Sequence, residues 1–236
     1  MGEQMNNPNG LLYKWLVINS FAALLVYVAW LRDWIDLVID SDASYLSIVI
    51  GVVFLVFWMT SSSHILAVNR EIGLFARHAT SGAAADYFAR LRLKGTNFAG
   101  ERIDQGVLAS TLRARLFMPI QIVAYVSNVL ILLGLIGTVV GFVIAVNGLG
   151  DSIAGGTNIE RVQGVLGQIV NGMGVALFTT LVGTILGGLW LQIHYQMLSR
   201  AVGGLMVDVV EHADIEIIPE IVRGMTAGPA TTAAAE

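Results

Sequence analysis

The sequence predicts an all-α integral membrane protein with four transmembrane helices and a helical cytoplasmic region between the second and third. Three observations carry this expectation. Hydrophobic residues make up 56% of the 236 residues and charged ones 13%, whereas a soluble domain needs roughly a quarter of its residues charged. Four charge-poor apolar runs are each long enough, at 1.5 Å per residue, to cross a hydrocarbon layer about 30 Å thick. The thirteen Lys and Arg residues are sorted very unevenly among the connections between those runs.

The first run extends from about Leu11 to Leu31, with Lys14 close enough to its end to snorkel. Arg32-Asp33 closes it and no small-residue cleavage pattern follows, so it is expected to stay on the protein rather than act as a signal peptide. The second extends from about Tyr45 to Val68. The third and fourth, placed at Gln121 to Val146 and Ile169 to Tyr195, lie in intervals free of charge, Arg115 to Asp151 and Arg161 to Arg200. Both intervals exceed one span, so these helices are expected to project beyond the membrane. Asn147, Gly148, Gly150 and the stretch Asp151 to Arg161 read as a polar connecting loop.

Between the second and third runs, apolar and charged residues alternate at helical spacing, as in Ile72, Phe75 and Ala76 or Tyr87, Phe88 and Leu91. Thr80-Ser81-Gly82 and Lys94-Gly95-Thr96-Asn97 carry turn residues expected to break this region into a hairpin or short bundle. The tail from Pro219 reads as disordered. Four segments follow: residues 1–68 a transmembrane helix pair, 69–119 a cytoplasmic helical region, 120–200 a second membrane helix pair, and 201–236 a cytoplasmic helix and disordered tail. With four spans both termini share one side. Eleven of the thirteen basic residues fall on that side and only Arg32 and Arg161 on the other, which predicts cytoplasmic termini.

Composition also excludes functions. The chain has no cysteine, and therefore no disulfide, thiolate metal site or cysteine nucleophile. A net charge of −4 without a dense basic tract argues against nucleic acid as a partner. His64, His78 and His212 show no metal-ligand spacing, and no nucleophile-base pair or phosphate loop appears, so neither an enzyme nor a cofactor or metal site is expected. Asp33, Asp36, Asp40 and Asp42 make the first outer loop acidic.

The last two runs differ in kind from the first two. Gly134, Thr138, Gly141 and Ala145 recur at steps of four, three and four, and Ala176, Thr180, Gly183 and Gly187 repeat those steps. Such spacing places each set on one helix face. Gly137/Gly141 and Gly183/Gly187 are also small-xxx-small pairs. The stripe serves tight packing alone if each threonine bonds the carbonyl one turn back; it serves an ion path if the hydroxyls hold water or a proton donor. Asn128 is a candidate for the polar end of such a path or for an interhelical hydrogen bond. His194 is a candidate proton relay or an ordinary interfacial histidine.

Leu133-Gly134-Leu135-Ile136-Gly137-Thr138-Val139-Val140-Gly141 resembles the LLGLLGTVxG signature of the MotA/TolQ/ExbB proton channel family. Ala176-Leu177-Phe178-Thr179-Thr180-Leu181-Val182-Gly183 is similar to that family's AL-x-x-T-x-x-G. The resemblance covers about Pro119 to Tyr195. It implies a homopentamer around a dimer of a single-span MotB/TolR/ExbD-like protein whose aspartate carries the proton, in the bacterial inner membrane. It also implies that Thr138 and Thr180 line the path, with protons as the coupling ion and sodium not excluded. No Asp or Glu stands in any of the four runs, so a conducting complex needs its carboxylate from a second chain. The alternatives are a non-conducting scaffold that holds a partner helix, and a secondary transporter, which calls for intramembrane ionisable groups in this chain. Two spans before the cytoplasmic region match MotA and depart from the one of TolQ and ExbB, which leaves the driven process open.

Overall fold

The computed structural model describes residues 9–97, 104–153 and 159–227. Among the described residues there is no strand. The helices are α1 (Gly10–Leu31), α2 (Trp34–Ser41), α3 (Leu46–Ala76), α4 (Ala83–Asn97), α5 (Gly106–Ile153) and α6 (Ile159–Gly183). A π-helical turn (Thr184–Leu191), α7 (Gln192–His212), a second π-helical turn (Ala213–Ile217) and α8 (Ile218–Ala227) continue the chain without a break. Among the described residues four stretches are long and apolar enough to cross a membrane: Gly10–Leu31, Leu46–Ala76, Gly106–Gly148 and Val162–Gly224. Lipid offers no hydrogen-bond partner, so an apolar run satisfies its backbone by winding into helix. Exposed Phe21, Tyr125 and Phe142 form a surface suited to acyl chains.

The chain is more helical than its turn residues predict. The expected loop from Asn147 to Arg161 is narrower, because α5 runs to Ile153 and α6 begins at Ile159; Gly148 is buried against the side chain of Gln168, so packing overrides the glycine. Lys94 to Asn97, predicted as a turn, closes α4, with Gly95 buried and the Thr96 hydroxyl donating to Leu93 O at 2.9 Å. The acidic first connection contains α2. Helix also continues through Pro219 to Ala227. Pro219 stands just past the second π-helical turn, whose departure from the regular i→i−4 pattern accommodates a residue without an N–H. The rest of the expected tail, residues 228–236, lies outside the described residues.

One compact unit comprises residues 1–14, 64–120 and 197–236. Ile72, Tyr87, Leu91, Leu112, Val202, Leu205 and Val209 are buried in it, and the rings of Phe75 and Phe88 stand 5.9 and 5.4 Å from that of His212. α3 ends with His78 in the left-handed region at φ 50°. The His78 N–H donates to Phe75 O and the Ala79 N–H to Leu74 O, at 3.0 and 3.1 Å, the paired bonds that stop a helix. Gly82, at φ 111°, then lets the Ala83 N–H reach the Glu71 carboxylate at 2.8 Å. Tyr87 donates to Gln105 Oε1 at 2.8 Å; burial, with Asp214 adding, pushes its phenol above the usual value.

The second unit comprises residues 15–63 and 121–196. Its core is Ile50, Phe54, Val123, Val126, Leu130 and Leu191, with Phe54 set edge-on to Trp190 at 5.7 Å. Asp42, 3% exposed, caps the start of α3 by accepting from the Ser44 N–H at 3.1 Å and the Ser47 N–H at 2.6 Å. Burial pushes its carboxyl up, but the hydrogen bonds from Ser44 and Ser47 outweigh burial and hold its pKa below the ordinary 3.8.

Candidate functional site

Within the second unit, α5 and the fourth span meet backbone to backbone. A Cβ added at Gly134 would stand 3.2 Å from Thr180 Cα and 3.4 Å from Gly183 Cα. One added at Gly183 would fall 2.7 Å from Leu130 O. Further along, a Cβ on Gly141 would collide with Gly172 O and lie 2.5 Å from Ala176 N. On Gly172 it would lie 2.5 Å from Gly141 O and 2.9 Å from Ala145 Cβ. Going up α5, each contact lies further down the fourth span, so the pair is antiparallel. Gly137 makes room for the buried side chain of Thr179, and Gly187 for Leu130 Cβ and Ser127 O at 2.7 Å.

The predicted stripe residues Gly134, Gly137, Gly141, Ala145, Ala176, Gly183 and Gly187 are therefore brought together, and the face they form is used within the chain. Close approach without side chains is the means by which helices associate in lipid, where no hydrophobic driving force separates helix from solvent.

The two threonines divide. The Thr180 hydroxyl is partly buried in the helix contact, 3.0 Å from Gly134 O and 3.1 Å from Ala176 O. Thr138 is half-buried, its hydroxyl donating to Leu135 O one turn back. It lies on an open groove of about 420 Å³ with Val139, Gly141, Phe142, Ala145, Met173 and Ala176. In both cases the single hydroxyl hydrogen is engaged by a backbone carbonyl, which leaves oxygen lone pairs as the remaining hydrogen-bonding capacity. Asn128 is exposed on α5. His194 is fully buried.

Sequence reasoning missed Thr179, Gly172, Gly148, Ser127 and Asn19. Gly172 stands four residues before Ala176 and Gly148 three after Ala145, so the stripe's own spacing pointed to both. Ser127 lies seven residues before Gly134 on the same face. It is completely buried and donates to Gly187 O at 2.8 Å, with Gln192 Oε1 at 3.3 Å. Gly187 lies inside the π-helical turn, where the wider i→i+5 pattern disturbs the regular carbonyl ladder. The Ser127 hydroxyl supplies a donor there. That Thr179 rather than Thr180 is the more buried of the two adjacent threonines follows from the helix crossing and has no signal in the spacing.

Buried positions along the fourth span fall at Val175, Thr179, Gly183, Gly187 and Leu191, in steps of four. In an α-helix each such step overshoots a full turn by about 40°. The π-turn, with more residues per turn, returns the stripe to α5. Beyond it, Leu191, His194 and Leu198 are buried at ordinary α-helical steps. Among the described residues no group of His, Cys, Asp and Glu could hold a metal ion.

These features define a four-span helical membrane protein built around a close-packed antiparallel pair of small-residue helices whose apolar spans carry hydroxyls but no charge. Residues 101–210 match the MotA/TolQ/ExbB proton channel family, and the chain carries a domain of that family there. The match is wider than the two signatures and takes in all of the helix pair. No curated protein and no solved structure matches the chain.

Proposed function

We propose that the chain is the pore-forming subunit of an ion-driven motor of the bacterial inner membrane, with both termini cytoplasmic. Five copies surround a dimer of a single-span MotB/TolR/ExbD-like protein whose aspartate carries the proton, and the flow turns one component against the other. Thr138 and Thr180 line the path.

The observation that carries this reading is the state of the two hydroxyls. A span without acid or base conducts protons only past a titratable group brought by another chain. With their hydrogens already donated to carbonyls, both threonines offer acceptors, and an acceptor favours the protonated form of a neighbouring carboxyl. Such a lining lets a partner's aspartic acid pass as the neutral, hydrogen-bonded species, the form least costly in an apolar layer.

The same bonds favour a second reading. If Thr180 serves only to tie α6 to the Gly134 carbonyl, the helix pair is a scaffold for a partner helix and conducts nothing. Proton flux in vesicles holding the chain and its partner separates the two. In the motor the Thr138→Val/Thr180→Val variant assembles and loses at least tenfold in flux; in the scaffold, wild type and variant are equally silent. Replacing the proton gradient with a sodium gradient identifies the ion.

A further inference from the structure

Asn19 of α1 meets three groups of the second unit, two of which have a fixed hydrogen-bonding sense. Its Nδ2 donates to Trp15 O at 2.8 Å and lies 3.2 Å from His194 Nε2; its Oδ1 accepts from Trp58 Nε1 of α3 at 2.9 Å. The other imidazole nitrogen, Nδ1, lies 2.9 Å from Trp190 O. His194 has no exposed surface, and among the described residues no carboxylate lies within ion-pair distance of it.

Only one placement of hydrogens satisfies this network. An indole N–H can only donate and a backbone carbonyl can only accept, so Trp58 fixes the Asn19 oxygen and Trp15 fixes its NH2. The second amide hydrogen then points at His194 Nε2, which must be a lone pair. Trp190 O, an acceptor, requires the hydrogen on Nδ1. An imidazolium would set an Nε2–H against the amide hydrogens of Asn19. Turning that amide over would break the bonds to Trp58 and Trp15 instead.

We propose that His194 is a neutral hydrogen-bond hub, fixed in its Nδ1–H form, that pins α1 and α3 to the fourth span and carries no proton along the ion path. It is a positioning residue: through Asn19 it holds the two spans that contribute nothing to the small-residue pair. A buried polar link across three helices resists sliding, because slipping any one by a turn leaves donors and acceptors unpaired where no water replaces them. The hub follows from the geometry alone, while its exclusion from the ion path rests on the proposed function.

Nitrogen-15 imidazole spectra of the full-length chain, with the His194 signals assigned by their loss in His194→Gln, test the hub directly. At pH 7 the expected pattern is one protonated Nδ1 and one bare Nε2. An imidazolium, or hydrogen on Nε2, overturns the proposal. Thermal unfolding in detergent gives a second readout. Glutamine can accept from Asn19, so His194→Gln should keep at least half of the stability that His194→Leu loses; a His194→Leu variant as stable as wild type overturns the hub. In vesicles with the partner, His194→Gln should conduct at the wild-type rate with an unchanged pH profile. Should it assemble and fail to conduct, His194 is a relay and the proposal falls. If wild type also fails to conduct, the motor reading falls and the spectra and melting still judge the hub.

Discussion

Gly141→Ala adds one methyl group where the backbones of α5 and α6 come closest, and its cost can be worked from the geometry. The new Cβ would stand 2.5 Å from Ala176 N and collide with Gly172 O. Both obstacles are backbone, so no side chain can swing away. Restoring an ordinary 3.4 Å contact to Ala176 N requires the helices to part by about 0.9 Å at this level. A gap of 0.5–1 Å forfeits a quarter to a half of the dispersion energy of each contact it opens, and overpacking of this kind costs about 1–3 kcal/mol. Alanine's better helix propensity returns up to about 1 kcal/mol, leaving a net loss of roughly 1–2 kcal/mol.

Gly164 is the matched control, since a Cβ there meets nothing within 4 Å. Gly164→Ala should be neutral or slightly stabilising. Unfolding of both variants in detergent, followed by circular dichroism, is the assay. Equal midpoints for Gly141→Ala and wild type would refute the claim that backbone contact at this crossing holds the pair together.

Two further outcomes follow from buried hydrogen bonds. Ser127→Ala removes the donor facing Gly187 O and should cost about 1–3 kcal/mol in the same unfolding assay; Ser127→Thr, which keeps the hydroxyl, tests whether the loss is chemical or steric. Asp42 has a folded-state pKa below its ordinary 3.8. Its contribution is therefore complete above about pH 4 and is lost as pH falls through the folded value. Asp42→Asn should lower stability at pH 7, where the ionised cap acts in full, and flatten that acid limb of a stability-against-pH profile.

The spans were legible because an apolar run in lipid has one way to satisfy its backbone, and composition alone reveals it. The stripe from Gly134 to Ala145 and that from Ala176 to Gly187 were legible as faces, since small residues at steps of three and four admit a close neighbour. What spacing left open was which neighbour. Gly141 and Gly172 cross each other within the chain, a fact of tertiary pairing that periodicity on one helix does not encode. Turn residues misled at Gly95 and Gly148, where burial decided the matter. Asn19 and His194 stand 175 positions apart, and nothing in either neighbourhood points to the other.

The π-turn at Thr184–Leu191 has a consequence for anyone who splices this chain. It acts as one surplus residue in an otherwise regular rod. A single deletion within the turn is absorbed as it closes to ordinary α-helix, but the same deletion in the regular helix on either side would swing everything beyond it by about 100°, carrying His194 off Asn19. Chimeras and shortened variants joined outside the turn must therefore conserve residue count as well as residue type.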